Sequence, residues 1–247
     1  MTHGAKVTSR SDTGLREIAL VTQMRAGTHY LCLALRLALE ATIYRPNREQ
    51  RYVLMEDDYV LRGLHADSQT RLPEPNPNLK IYFNHYYHPQ RHTLPGVPRI
   101  NLIGYPFDSF YSDGVLYSKS AYDVGPSGPR AHEYVFRAGS KEWNFLEEYI
   151  GENAKWLEEL KEGDEDIIIR YEDLFLDFDG CVRRLSEFVG GFANPVPPPI
   201  KNSKRMYWTD DYASALDRPA LTSLWQRFEP GIRRFYPEKV EALLGAL

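Results

Sequence analysis

The chain has 247 residues, 43% hydrophobic and 26% charged, an ordinary globular composition that excludes disorder, collagen and coiled coil as overall descriptions. Lys and Arg total 30 against 34 Asp and Glu, so the net charge is −4, which argues against a nucleic-acid binder or other general polyanion binder. Any anion this protein holds is gripped locally.

Residues 1–16 are polar, contain Gly4 and Gly14, and read as a flexible terminus, with a single domain over 17–247. Glu17 to Gln23 is a short apolar run with the character of a buried parallel strand. Met24 to His29 is a small-residue turn, and Tyr30 to Leu39 is an apolar run too long for a strand, hence a helix. Strand, glycine turn and helix open a βαβ unit. A polar stretch follows, ending in a stiff loop at Pro73, Pro75 and Pro77. Lys80 to Asn84 and Arg99 to Ile103 read as strands. Residues 112–139 are rich in Gly, Ser, Tyr and Pro with little periodicity, a long loop of the functional kind. Ser140 caps a predicted helix running to Leu160 and weakened at Gly151. Asp166 to Arg170 is a further buried strand, and Leu185, Phe188 and Val189 anchor a helix that Gly190 and Gly191 end. The prolines between 195 and 199 precede a basic loop, Lys201 to Arg205. Residues 219–244 close the chain with a helical pattern interrupted at Pro230 and Pro237.

This alternation predicts an α/β fold, a central parallel sheet with helices on both faces. The two cysteines, Cys32 and Cys181, are too few and too distant for a disulfide framework or a four-Cys zinc site, which fits a reducing compartment. Met1 to Arg16 lacks the apolar middle of a secretory signal, and no run approaches the roughly 18 apolar residues of a membrane span. A cytoplasmic protein with no membrane partner is the expectation.

In an open parallel sheet the ligand sits beyond the carboxyl ends of the strands, so the turns there carry the functional signal. Met24-Arg25-Ala26-Gly27-Thr28-His29-Tyr30 places a cation, a glycine and a hydroxyl at a helix N-terminus, where free N–H groups and the helix dipole favour a phosphate or sulfate. It lacks the spacing and lysine of the nucleotide-triphosphate loop, which argues against a nucleotide-dependent phosphotransferase. Taken alone, the heptapeptide is equally an ordinary β–α turn with an exposed Arg25.

The segment Ile167-Ile-Ile-Arg170-Tyr171-Glu172-Asp173-Leu174, followed by Val182-Arg-Arg-Leu-Ser-Glu-Phe-Val-Gly190, resembles the 3′-phosphoadenylyl-sulfate (PAPS) dependent sulfotransferase family, with its R/Y-Y-E-D-L turn and R-R-L-x-x-F-L-G helix. The first turn then looks like the family's P-K-S-G-T-T-W loop for the 5′-phosphosulfate, with Arg25 at the lysine, Ala26 at the serine, Gly27 and Thr28 in register, His29 at the second threonine and Tyr30 at the tryptophan. The family's 3′-phosphate segment, R-N-P-x-D-x-x-x-S, is matched by Pro106, Asp108 and Ser112, with Gly104 where the arginine belongs. Losing that guanidinium removes a charge-assisted contact of about 1.5–3 kcal/mol. Arg99, Arg130 and the loop cations Lys201, Lys204 and Arg205 are the candidates to replace it.

The resemblance implies a nucleotide-kinase-like fold and in-line transfer of a sulfuryl group, without a metal, to a hydroxyl or amine of a small-molecule acceptor. His85, directly after a strand, stands where the family carries its base, and His88 is the second choice; an imidazole with pKa near 6.5 accepts a proton at neutral pH. His29, within the anion loop, is placed to contact the sulfuryl group or to be held neutral by the dipole. Tyr171 looks like the residue near the adenine, while Glu172 and Asp173 read as braces of the following helix. Reading His85, His88 and His92 as zinc ligands is disfavoured by Pro89 and the absence of a nearby carboxylate or Cys. The acceptor pocket is expected from residues 52–70, 86–95 and 113–139, whose Tyr residues and acids Glu56, Asp57 and Asp58 suit an aromatic or cationic molecule. A catalytically inactive nucleotide-binding relative, suggested by Ala26 and Gly104, is the competing expectation.

Overall fold

The structure is a computed structural model, and the described residues are 16–23, 26–47, 49, 51–56, 71–85, 94, 96–109, 141–191 and 218–239. Within them six strands form one sheet, β1 (Arg16–Thr22), β2 (Ala41–Pro46), β3 (Tyr52–Leu54), β4 (Asn76–His85), β5 (Arg99–Ile103) and β6 (Asp166–Arg170), in the order β3-β2-β4-β1-β5-β6. All neighbouring pairs are parallel except β2 with β3. The central sheet is parallel, as expected, and only the edge strand β3 runs antiparallel.

Helices cover both faces. Side chains alternate along a strand, so Leu20, Ile100, Leu102, Ile167 and Ile169 join one core with α1 (Thr28–Leu39) and α4 (Phe178–Val189), beside the short α3 (Asp173–Leu176). Val21, Ile103 and Ile168 point the other way, into a second core with α2 (Lys141–Glu159) and α5 (Arg218–Arg233). The expected α/β layering is what the chain adopts. Among the described residues no helix is long and apolar enough to cross a membrane.

Several sequence expectations need correction. The polar stretch after α1 contains two strands: Ala41, Thr42 and Ile43 are buried against β4, and the reversal into β3 is tied by Asn47 Oδ1, which accepts from the backbone N–H of Glu49 and Arg51 at 2.9 Å each. Three strand residues at the head of the expected acceptor segment 52–70 thus belong to the sheet, and Met55 is core. Pro77 lies inside β4 rather than in a loop. Pairing with β2 skips from Asn76 to Lys80, and pairing with β1 starts at Leu79, so the missing proline N–H leaves no ladder bond unmade.

Pro230 does not interrupt α5, which runs through it on an exposed turn. The next residue, Gly231, packs so tightly on α2 that a Cβ there would stand 2.5 Å from the Ala154 carbonyl oxygen, and this contact holds the helix across its missing hydrogen bond. Gly151 likewise sits in an unbroken α2, where its bare backbone admits the Phe228 ring. Arg16, counted with the loose terminus, begins β1 and donates to the Val189 carbonyl at the end of α4. Gly190 ends α4 in the left-handed conformation, as its sequence predicts.

Candidate functional site

The carboxyl ends of β4, β1, β5 and β6 stand side by side, so the turns that follow them share one edge of the sheet. At the end of β1, Gly27 takes φ +75° as the N-cap of α1. No side chain caps this helix and its first turn holds no acid. The α4 N-terminus differs: Asp177 accepts from Gly180 N at 3.1 Å and Asp179 lies in the first turn. The α1 N-terminus keeps a positive dipole end that no protein carboxylate in its first turn offsets, the condition that favours a bound anion.

Gly27 is also required by its neighbour. The Tyr171 ring, just past β6, crosses it so closely that a Cβ at 27 would lie 2.0 Å from Tyr171 Cε2. Tyr171 packs edge-on to Phe175 at 4.8 Å, and Phe175 packs on Tyr30 at 4.7 Å, so an aromatic chain roofs the first turn of α1. Burial pushes both the Tyr30 and the Tyr171 phenols up to about 12, the latter helped by Glu172 and Tyr30, so both stay neutral at physiological pH.

A polar chain lies beneath the loop. Thr28 Oγ1 donates to Thr22 Oγ1 at 3.0 Å, and Thr22 Oγ1 lies 3.0 Å from His85 Nδ1. Thr22 is 0% and Thr28 8% exposed, so the two hydroxyls of this chain are shielded from competing water while the half-buried His85 is not. The register of β1 with β4 pairs Thr22 directly with His85, which brings a loop hydroxyl and the expected base together across 63 residues of sequence. Beside them Gln23, 0% exposed, accepts from Gly104 N at 3.0 Å through Oε1 and donates weakly to Tyr149 Oη at 3.5 Å, joining β1, β5 and α2.

The turn after β5 is crowded at Gly104. A Cβ on Gly104 would meet Ala26 Cβ at 3.0 Å and Ser109 Oγ at 3.1 Å, and Ala26 is itself fully buried. Ala26 and Gly104 fit against each other. A Cβ at 104 asks Ala26 or Ser109 to give by a few tenths of an ångström. Arg99 does not fill the gap, because it opens β5 at the opposite edge and pairs with Asp166 at 3.4 Å. Asp108 instead faces Lys239, 3.7 Å away, whose ammonium also lies 5.3 Å from the centre of the Tyr105 ring.

The acids after β6 act as braces. Asp173 receives a bidentate pair from Arg170, Nε at 3.0 Å and Nη2 at 2.7 Å, while Arg170 Nη1 donates to Phe235 O at 2.8 Å and ties the segment after α5 to the sheet. Glu172 Oε1 accepts from Tyr105 N at 3.1 Å, and its carboxyl lies beside the buried Tyr236 phenol. Burial pushes the Glu172 carboxyl above the usual range, against the opposing pull of its backbone donors and Arg170.

Of the sequence candidates, the structure brings Ala26, Gly27, Thr28, Tyr30, Tyr171 and His85 to one edge, with His29 half-buried in the first turn of α1. Arg25, His88, Ser112, Arg130, Lys201, Lys204 and Arg205 lie outside the described residues, as do His92, Asp57 and Asp58. Sequence reasoning passed over Thr22 and Gln23. Their signal was present: two polar residues close an otherwise apolar strand just before the loop.

No family model matches the chain, and no curated protein matches it in sequence. Among solved structures it is similar to mouse sulfotransferase SULT7A1 complexed with PAP, at 17% identity and a TM-score of 0.41, over 83% of this chain and 66% of that one. It is also similar to the sulfotransferase domain from the curacin biosynthetic pathway, at 15% identity and a TM-score of 0.39, over 82% and 83% of the two chains. The chain thus spans just under two thirds of the mouse protein's length.

Proposed function

We propose that this protein transfers a sulfuryl group from 3′-phosphoadenylyl sulfate to a hydroxyl or amine of a small-molecule acceptor. The observation that carries this reading is the line from Thr28 through Thr22 to His85, which joins a hydroxyl of the anion loop to an imidazole at the next strand end. Arg25 and the loop from Ala26 to Tyr30 hold the 5′-phosphosulfate, and Tyr171 closes the loop's outer side. Ser112 with Lys201, Lys204 and Arg205 holds the 3′-phosphate in place of an arginine at 104. His85 takes the proton of the attacking hydroxyl or amine, with His88 as its alternate. Arg25, Thr28 and the α1 N–H groups stabilise the negative charge that grows on the leaving phosphate oxygen. Neutral aromatic and cationic acceptors suit the acidic, Tyr-rich loops.

A second reading follows from Gly104, which offers no guanidinium to a 3′-phosphate, and from Ala26 packed against it. On that reading the chain binds the nucleotide without turnover. Calorimetry with adenosine 3′,5′-bisphosphate, followed by turnover of labelled donor on a panel of phenols and amines, separates the two. Binding with turnover supports the transferase, binding with none supports the inactive relative, and no binding at millimolar ligand overturns both.

A further inference from the structure

Thr22 is fully buried, and its hydroxyl meets two polar groups, Thr28 Oγ1 and His85 Nδ1, each at 3.0 Å. A hydroxyl has one proton to give. With Thr28 donating to it, Thr22 gives its own proton to Nδ1, and a neutral imidazole so engaged carries its hydrogen on Nε2. In that form Nε2 is a donor and accepts no proton from a substrate.

The two hydrogen bonds of this line are made equally well with both directions reversed. When Thr28 turns its hydrogen toward an anion at the α1 N-terminus, its oxygen accepts from Thr22, and Thr22 in turn accepts from Nδ1–H. The imidazole exchanges its proton between nitrogens through solvent, its charge unchanged, and Nε2 is left as the basic nitrogen. The geometry points to Thr22 as a positioning residue that links an anion on the Gly27–Thr28 loop to the tautomer of His85, so that the base becomes competent only after the donor is bound. This inference rests on the transferase reading. In the step it prepares, Nε2 takes the proton from the acceptor O–H or N–H, and the acceptor oxygen or nitrogen bonds to sulfur. The bond from sulfur to the donor's phosphate oxygen breaks, its electron pair leaving with the bisphosphate. The resulting imidazolium keeps its Nδ1–H on Thr22.

Long-range ¹⁵N–¹H correlation spectra of the full chain, with the His85 signals identified by their loss in His85→Ala, report the tautomer directly. Adenosine 3′,5′-bisphosphate is the probe. Wild type is expected to carry the Nε2–H form when free and the Nδ1–H form when saturated. Thr22→Val is expected to bind the bisphosphate within about threefold of wild type, to show no switch, and to lose at least tenfold in kcat with little change in donor KM; Thr22→Ser restores both the switch and the rate. An unchanged tautomer in bisphosphate-saturated wild type overturns the inference while leaving the transferase reading intact, and so does a Thr22→Val protein with wild-type kcat. Failure of wild type to bind the bisphosphate overturns the transferase reading and this inference with it. Should Thr22→Val not fold, the wild-type spectra and Thr22→Ser decide the matter.

Discussion

The Tyr171 ring lies across Gly27 so closely that a Cβ on residue 27 would stand 2.0 Å from its Cε2. One residue in the turn after β6 thereby fixes which residue is allowed in the turn after β1, and the φ of +75° at Gly27 adds a second demand for glycine.

Gly27→Ala therefore carries two separable costs. The left-handed backbone costs about 1–2 kcal/mol for a residue with a Cβ, and the collision with Tyr171 adds about 1–3 kcal/mol of overpacking. Thermal melts are expected to drop by about 2–4 °C for each kcal/mol. In the double variant Gly27→Ala with Tyr171→Ala, the mutations are expected to be less than additive, because the collision is gone while the backbone cost remains. Strict additivity would show that the ring does not press on the loop.

An arginine placed at 104 is expected not to tighten anion binding. Gly104→Arg brings its first side-chain carbon to 3.0 Å from Ala26 Cβ and 3.1 Å from Ser109 Oγ, so the turn at Ala26 is expected to give by a few tenths of an ångström. Even Gly104→Ala is expected to lose about 1–3 kcal/mol in urea unfolding. Bisphosphate affinity measured by calorimetry is expected to fall in Gly104→Arg, in spite of the added positive charge. A tighter complex would mean that the loop yields readily and that the gap at 104 is open to a cation.

His85 lies at the end of β4, across the Thr22 hydroxyl from the anion loop. His85→Ala is accordingly expected to lower turnover by about 10²–10⁴-fold, the usual worth of a general base, while bisphosphate affinity stays within a few-fold of wild type. Initial rates and calorimetry on the same preparation check this. Near-normal turnover would move the role to His88 or His29.

Glu172 gives a pH signature. Burial raises its carboxyl in the folded chain, so the protonated form suits the fold. Relative to an unfolded carboxyl near 4.3, this stabilising effect is complete at lower pH and is lost as pH rises through the raised value. Glu172→Gln retains an acceptor for Tyr105 N–H and removes the charge beside the buried Tyr236 phenol. It is expected to be more stable than wild type in urea unfolding at pH 8, with the gap closing toward pH 4. A gap that widens in acid would show that Glu172 is stabilised as a carboxylate.

Much of this protein is written in short windows of sequence. The apolar runs of β1, β5 and β6, the apolar stripe of α1 and the glycine that ends α4 were all legible, because burial periodicity and turn chemistry act within about ten residues. The candidate turns were legible too, since their residue types favour anions wherever they occur. The polar edge strands β2 and β3 were not, because their few buried positions gain meaning only beside β4. Pro77 and Pro230 misled for a related reason: each falls where the tertiary structure asks nothing of the missing N–H or holds the helix from outside. By itself the sequence determined the inner strands, the long helices and the anion-favouring turns. Only the tertiary structure decided that Ala26 closes on Gly104, that Tyr171 covers Gly27 and that Thr22 joins Thr28 to His85, because those contacts come from strand order and register, which bring together residues tens of positions apart.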